Sequence, residues 1–283
     1  MPDRGVAASS WRWGGLAAAP ACALLALPIV VALLMARISL DPYTAESGQG
    51  SGWTIANWRV LWTDPAYLRS LALTARLTVI TTITAVLLAY PLALFSRMAS
   101  RRGVKAFVDL AVLVPLLTNL VLQIIGWMAV FSPANPLVRL LPFRIAFTEM
   151  SVVVVLIHHA VPFAYFGIDS ALRNLPQSLE EAGATLGANR WQVLTRVIVP
   201  LSLPGVVAGS LLVAASAFSM YVIPILVGGY RVPALGVLVQ GALDQSNWPL
   251  GATISTALTV FALAALGLYQ ASTRRITGQG GRP

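Results

Sequence analysis

Residues 175–209, LPQSLEEAGATLGANRWQVLTRVIVPLSLPGVVAG, are the most polar long segment of an otherwise apolar chain. Apolar segments long enough to cross a bilayer flank it on both sides. The sequence therefore predicts a loop between two membrane spans. The spacing Ser178-x-x-Glu181 is typical of a helix N-terminus, and Gly187 offers a left-handed stop. Asn189 can cap a second helix, so two short helices joined at a glycine are predicted.

The composition is that of an integral membrane protein. Hydrophobic residues make up 57% of the chain, charged residues only 10%, and the mean hydropathy is +0.77. Soluble proteins carry about 25% charged residues. The net charge of +9 comes from basic residues that lie mainly between spans, where they set the orientation of a membrane protein. Binding to nucleic acid is therefore not predicted.

Metal, redox and hydrolytic sites are not predicted either. The single cysteine, Cys22, excludes an intrachain disulfide. His158 and His159 are adjacent in an apolar helix and point to different faces, so we interpret them as buried or pore-edge histidines rather than zinc ligands. The sequence has no Gly-x-x-x-x-Gly-Lys-Ser/Thr loop and no nucleophile or metalloprotease pattern, so neither ATP hydrolysis nor a cofactor is predicted.

Six helical membrane spans are predicted. They cover approximately residues 15–37, 71–95, 106–131, 150–172, 204–226 and 250–272. The first is expected to be retained as an anchor after an N-terminal segment, 1–14, because it is longer than the core of a signal peptide. The other predicted segments are a glycine-rich periplasmic loop with an interfacial helix (38–70), a five-helix core (71–272) that includes the loop 173–203, and a tail (273–283).

The basic residues outside the spans are unevenly distributed. Twelve fall on the side that holds both termini and the loop 173–203, against six on the other side. The positive-inside rule assigns the richer side to the cytoplasm. Both termini and the loop are therefore predicted to be cytoplasmic.

Four residues of the loop, Glu181, Ala182, Gly187 and Pro200, stand at the offsets of a known motif. The stretch resembles the "EAA" loop of permease subunits in binding-protein-dependent bacterial ABC importers: Glu-Ala-Ala, three residues, Gly, nine residues, Ile-x-Leu-Pro. Gly183 replaces the second alanine, which weakens a helix by about 1 kcal/mol. The resemblance implies an all-α membrane protein with the type I ABC importer permease fold and cytoplasmic coupling helices.

The resemblance also implies a role for the loop. A permease of this kind is a transport subunit without catalytic activity, and a separate ATPase moves it through the loop. Leu179, Ala182 and Leu186 are spaced for one docking face, and Trp191 and Leu194 for a second. The residues expected to couple to the ATPase are Leu179, Glu180, Glu181, Ala182, Leu186, Gly187, Trp191 and Pro200.

The partners follow from the same resemblance. They are a pair of ATPase subunits, a second permease that is a related heteromeric partner, a periplasmic or lipid-anchored solute-binding protein, and membrane lipids. The implied location is the bacterial inner membrane.

Three further segments resemble the polyamine-type permeases, the spermidine and putrescine class. They are Val112–Pro115 with Gly126 and Trp127, Met220–Pro224 with Gly228 and Gly229, and Asn247–Ala252. Iron, phosphonate and sulfate importers have related folds. The solute therefore stays open among a polyamine, another organic cation, a phosphonate, an opine-like compound and iron.

Candidates for the solute pathway lie where a helix is expected to be interrupted in the membrane, although a packing role is an equal alternative for them. Asp109 and Asp169 are expected to pair with nearby arginines rather than with a cationic solute. Gly205 and Gly209 predict close helix packing. The pathway candidates are Asn119, Trp127, Ser219, Tyr221 and Pro224.

Two other classes of function compete with the importer subunit. A stand-alone secondary transporter driven by an ion gradient would need an internal repeat and embedded charges, and the chain has no convincing repeat and few such charges. A membrane enzyme or scaffold is supported only by the histidine pair.

Overall fold

The computed structural model describes residues 26–99, 101–139, 145–176 and 178–277, and the regular structure of these residues is helical. The α-helices are α1 (Ala26–Ile38), α2 (Ala56–Thr63), α3 (Pro65–Met98), α4 (Arg102–Leu117), α5 (Leu120–Phe131), α6 (Pro136–Arg139), α7 (Glu149–Arg173), α8 (Ser178–Thr185), α9 (Arg190–Val193), α10 (Val199–Ser219), α11 (Leu235–Asp244) and α12 (Trp248–Thr277).

Four stretches of the described chain are long and apolar enough to cross a membrane: α3, α7, the helix over Arg190–Ser219, and the Trp248–Gly267 part of α12. A bent pair, α4 and α5, makes a fifth if it counts as one span. Residues 15–25 of the predicted first span lie outside the described residues, and α1 is short. The all-α membrane fold is confirmed, whereas the count of six spans is not.

The predicted third span is not one straight helix. It breaks after Leu117, and the chain bends by 100° between α4 and α5. Asn119 begins the new helix because its side-chain oxygen accepts a hydrogen bond from the Val121 N–H at 2.8 Å. The Gln123 amide donates to the carbonyls of Pro115 and Thr118, which the break leaves without helical partners. Polar side chains thus satisfy the backbone at the bend.

The second of the two predicted short helices is not a separate element. The helix that starts at Arg190 continues without a break to Ser219, because a π-helical turn, Leu194–Ile198, connects α9 to α10. Proline has no N–H to donate to the preceding turn, and a widened turn accommodates that loss. Pro200 therefore lies at the start of α10, inside this continuous helix.

The chain forms two compact units. The larger contains residues 65–238 and 258–277 of the described chain, and its buried interior is made mainly by α3, α7 and α10. Glycines let α7 and α10 approach closely: a Cβ at Gly209 would lie 2.9 Å from the Ala164 carbonyl oxygen, and one at Gly167 would lie 2.7 Å from the Gly209 Cα. The close packing predicted for Gly205 and Gly209 is confirmed.

The smaller unit contains residues 26–64 and 239–257. Asp41 anchors the loop after α1 by accepting from Arg37 at 2.5 Å and from the Gln49 amide at 2.8 Å. These donors hold the pKa of the Asp41 carboxyl below its usual value. The Asn57 amide of α2 also donates to the Asp41 carbonyl at 2.9 Å. The expected short helix is present as α2.

Candidate coupling site and pathway

The first half of the coupling loop is an isolated helix that ends at a glycine. The helix α8 runs Ser178–Thr185, as the sequence predicts, and Gly187 follows it with φ +81°. The Ala188 N–H donates to the Gly183 carbonyl and the Gly187 N–H to the Ala184 carbonyl, both at 3.0 Å. This pair of bonds is the Schellman arrangement, which needs a left-handed residue between helix and exit. Gly187 supplies it and turns the chain.

Gly183, the departure from the family's second alanine, has a packing reason. A Cβ at this position would lie 2.9 Å from Cγ2 of Val193. Val193 belongs to α9 and is buried in the cluster under the loop. The glycine therefore lets α9 lie directly against α8, and this contact offsets its lower helix propensity.

The second half of the loop starts with the cap that the sequence predicts. The Gln192 N–H donates to the Asn189 side-chain oxygen at 2.8 Å, and the Asn189 N–H donates to the Gln192 side-chain oxygen at 2.9 Å. Two backbone donors at the helix start are thus satisfied by one pair of side chains. Because no break follows, this cap marks the start of the whole helix to Ser219.

The loop presents large apolar side chains to solvent. Leu186 is 88% exposed and Trp191 is 70% exposed. Glu181, Ala182, Gly187 and Pro200 are also exposed, whereas Leu179 and Glu180 are half-buried. Leu194 is half-buried and packs against the buried cluster of the bundle, so it is less exposed than Trp191. The large apolar side chains exposed on either side of the Gly187 turn are therefore Leu186 and Trp191.

One residue that holds the loop, Arg97 in the last turn of α3, was not predicted from the sequence. Its guanidinium donates to the Leu172 carbonyl at 2.5 Å, to the Leu175 carbonyl at 3.4 Å and to the Glu180 carboxylate at 2.8 Å. Leu172 lies in the last turn of α7, and Glu180 lies in α8. No local pattern could reveal these contacts, because the partners are 75 to 83 positions away in sequence.

A second ionic cluster lies at the same end of α7. The Arg173 guanidinium contacts the Asp109 carboxylate of α4 at 2.9 Å and the Asp169 carboxylate of α7 at 2.5 Å. The Tyr165 hydroxyl donates to Asp109 at 2.5 Å. The prediction that these two acids pair with a nearby arginine is confirmed, with Arg173 as the partner of both. The Asp109 carboxylate ties α4 to α7, whereas the Asp169 pair lies within α7.

The five pathway candidates fall into two groups. Ser219 ends α10, Tyr221 lies in the gap that follows, and Pro224 begins a π-helical turn, Pro224–Gly228. The interrupted helix is therefore present, with Tyr221 44% exposed and Pro224 buried. Trp127 and Asn119 belong to α5, where Asn119 serves as the cap at the bend.

The α5 helix packs against the interrupted segment. Trp127 contacts the same buried cluster as Ile223 and Val227. Near this contact a small groove of about 220 Å³ is lined by Met128, Phe131, Ser132, Pro133, Ala146, Phe147 and Val227. The structure thus brings Trp127 and the interrupted segment to one apolar cluster.

The histidine pair has aromatic neighbours. The His158 ring meets the edge of Trp127 at a centroid distance of 5.4 Å, and the His159 ring meets Phe163 at 5.9 Å. Both rings are half-buried and face different partners, as the sequence predicts. Within the described ranges, no group of three or more His, Cys, Asp or Glu side chains is placed to hold a metal ion.

Comparison with known sequences identifies related proteins. The family described as "Binding-protein-dependent transport system inner membrane component" matches residues 81–278. The chain is 32% identical over 226 residues to the spermidine/putrescine transport system permease protein PotB of Haemophilus influenzae, covering 76% of this chain and 78% of that protein. It is 30% identical over 220 residues to PotB of Escherichia coli K12, covering 75% and 80%.

The fold also matches solved structures. A chain from the crystal structure of a bacterial ABC transporter involved in the import of the acidic polysaccharide alginate superposes with a TM-score of 0.74. The match covers 94% of this chain and 99% of that one, at 16% sequence identity. The shared feature is the fold, the type I importer permease architecture that the loop motif implies.

Proposed function

The chain belongs to the inner membrane components of binding-protein-dependent transport systems, and we propose that the solute it carries is a polyamine of the spermidine and putrescine class. It is a multi-pass permease subunit of an ABC importer in the inner membrane and a transport component rather than an enzyme. The similarity to two PotB permeases over three quarters of the chain carries the proposal for the solute.

The family works with an ATPase and a solute-binding protein. We propose that this subunit pairs with a second, related permease and that a dimer of ATPases binds on the cytoplasmic side. In this arrangement both termini and the loop 173–203 face the cytoplasm. The excess of basic residues on that side supports the orientation.

The coupling loop is the proposed contact with the ATPase. Leu186 and Trp191 are large, apolar and exposed, and aromatic and aliphatic anchors of this kind dominate the energy of protein interfaces. Glu181 and Ala182 precede them on α8, and Gly187 fixes the angle between α8 and the helix that follows. The ATPase would bind the loop through these side chains.

Force on the loop would reach the membrane spans through both of its ends. One end is continuous with α10, since the helix from Arg190 to Ser219 has no break. The other end joins α7, which packs tightly on α10 through Gly167, Gly205 and Gly209. We therefore infer that α7 and α10 move as one body when the ATPase closes.

The interrupted segment after α10 is the proposed gate. Helix interruptions within a membrane protein expose backbone groups and small polar side chains where a solute can pass. Ser219, Tyr221 and Pro224 occupy this segment, and Trp127 packs against the same cluster. A displacement of α10 would move Ser219 and Tyr221 directly.

The test is reconstitution. Liposomes are prepared with this permease, the second, related permease, their cognate ATPase and the binding protein. Uptake of radiolabelled spermidine is measured with ATP inside. We expect ATP-dependent uptake that needs the binding protein. Uptake of molybdate or phosphonate instead would overturn the polyamine assignment, and ion-gradient-driven uptake by this chain alone would favour a secondary transporter.

A further inference from the structure

Arg97 is unusual among the basic residues at its end of the bundle. Its side chain is only 12% exposed, whereas the neighbouring Arg101 and Arg102 are exposed. A guanidinium that is removed from water must be paired and hydrogen-bonded to be stable. Arg97 meets this condition with three acceptors outside α3: the Leu172 carbonyl of α7, the Leu175 carbonyl just after it and the Glu180 carboxylate of α8.

The acceptors are of two kinds. The carbonyl of Leu172 is among the last of α7, at the negative end of the helix dipole, and it also accepts from the Leu175 N–H at 3.3 Å. Arg97 therefore caps α7. The Glu180 carboxylate belongs to α8, so the same planar group also holds the first half of the coupling loop. A guanidinium can serve both because its donors diverge within one plane.

Other contacts of α8 with the bundle are few. No side chain of α8 is buried among its described residues. Two contacts attach α8 among the described residues: Gly183 lies close to Val193, and Arg97 donates a hydrogen bond to the Glu180 carboxylate. By contrast, the end of α7 is fixed to α4 through Arg173 and Asp109 and to α3 through Arg97. The ion pair to Glu180 is thus a discrete link between a loosely held helix and a firmly held one.

We propose that Arg97 is a positioning residue for coupling, which makes α8 move together with the ends of α3 and α7. Without this link, force on α8 would be lost in the connection to α7 before it reached the spans. With this link, a displacement of α8 moves the ends of α3 and α7 at the same time. The inference rests on the proposed coupling role of the loop and adds a residue outside the loop motif.

The first test needs neither solute nor ATPase. A spin label is attached to a cysteine at the exposed Ala184 of α8, with Cys22 replaced by serine, and the permease is placed in nanodiscs. We expect the label to become more mobile in Arg97→Met and in Glu180→Gln, with partial restoration in Arg97→Lys. Arg101→Met is the matched control and should leave the spectrum unchanged. Equal mobility in all four variants would overturn the link.

The second test measures coupling in the full complex. The ratio of spermidine imported to ATP hydrolysed is expected to fall about two- to fivefold in Arg97→Met and in Glu180→Gln, the size expected for a partly exposed ion pair. The double variant should be no worse than Arg97→Met alone, because Arg97→Met already removes the ion pair that Glu180→Gln weakens. If Arg97 only caps α7, Glu180→Gln keeps the wild-type ratio while Arg97→Met lowers the melting temperature, and the proposal fails.

The two levels of failure are distinguishable. A wild-type complex that does not import spermidine contradicts the proposed solute, while the spin-label result still decides the link. A wild-type complex that imports spermidine alongside variants with an unchanged ratio contradicts the link alone.

Discussion

Glycines occupy two neighbouring regions of this permease for opposite physical reasons. Where α7 meets α10, Gly167, Gly205 and Gly209 are required because a Cβ would collide with the facing helix. At the turn of the coupling loop, a Cβ on Gly187 would meet nothing within 4 Å, but the backbone has φ +81°. The first region is limited by space and the second by conformation. The tightly packed helix pair α7 and α10 is thus connected to a turn whose backbone angle is fixed by one residue, Gly187.

The largest expected effect comes from filling the packed contact. Gly209→Val places a branched side chain against the Ala164 carbonyl, and overpacking of this kind should lower the free energy of unfolding by about 3 kcal/mol. The melting temperature of the purified permease measures it. Gly126→Val is the matched control, since a Cβ there would meet nothing within 4 Å and should change stability little. Equal melting temperatures of the two variants would show that the close contact at Gly209 does not stabilise the packing of α7 on α10.

The next effect tests whether the turn presents a surface that folding does not need. Leu186→Ala and Trp191→Ala should each weaken binding of the ATPase by about tenfold or more, because exposed apolar anchors at interfaces are worth about 2 kcal/mol. Their melting temperatures should match the wild type. Thr195→Ala, also exposed on the same helix, is the control. A fall in melting temperature with unchanged ATPase binding would assign both side chains to the fold instead.

Conformation at Gly187 should matter less than space at Gly209. Gly187→Val forces a branched residue into the left-handed region, a strain of about 1–2 kcal/mol, and should reduce ATP-driven uptake without loss of membrane insertion. Gly187→Asn should retain more uptake, because asparagine tolerates this conformation. Identical uptake by the two variants would show that the backbone angle is not what the turn contributes.

The smallest effect tests whether a change at the start of the Arg190–Ser219 helix stays separate from the α7–α10 contact. Asn189→Ala removes the cap of the Arg190–Ser219 helix and should lower its local stability by about 1 kcal/mol. Hydrogen exchange of the amides of residues 190–193 should quicken, while exchange in the α7–α10 contact stays unchanged. Faster exchange throughout α10 would mean that the glycine contact does not isolate the bundle from the loop.

The local features of the loop were predictable from sequence because each depends on neighbours a few positions away. The start of α8, the stop at Gly187 and the cap at Asn189 are of this kind. The continuity of the helix through Pro200 was not predicted, since a π-helical turn has no simple sequence signal. The bend between α4 and α5 depends on how Asn119 and Gln123 use their amides, which composition does not reveal.

Contacts between distant segments were predictable only in part. Small residues at Gly205 and Gly209 predicted a close helix contact, but not that Gly167 of α7 lies opposite them. Opposite charges at Asp109 and Arg173 allowed their pairing to be anticipated. The contacts of Arg97 could not be, because its chief acceptors are backbone carbonyls, which every residue has.

The central claim is that the Leu186–Trp191 turn lies in the cytoplasm and is covered by an ATPase. A cysteine placed at Leu186, with Cys22 replaced by serine, can be treated with a membrane-impermeant maleimide. We predict labelling in inverted vesicles but not in intact spheroplasts, and protection of the inverted vesicles when the ATPase is bound. Labelling from outside the cell, or labelling that the bound ATPase does not reduce, would contradict the account.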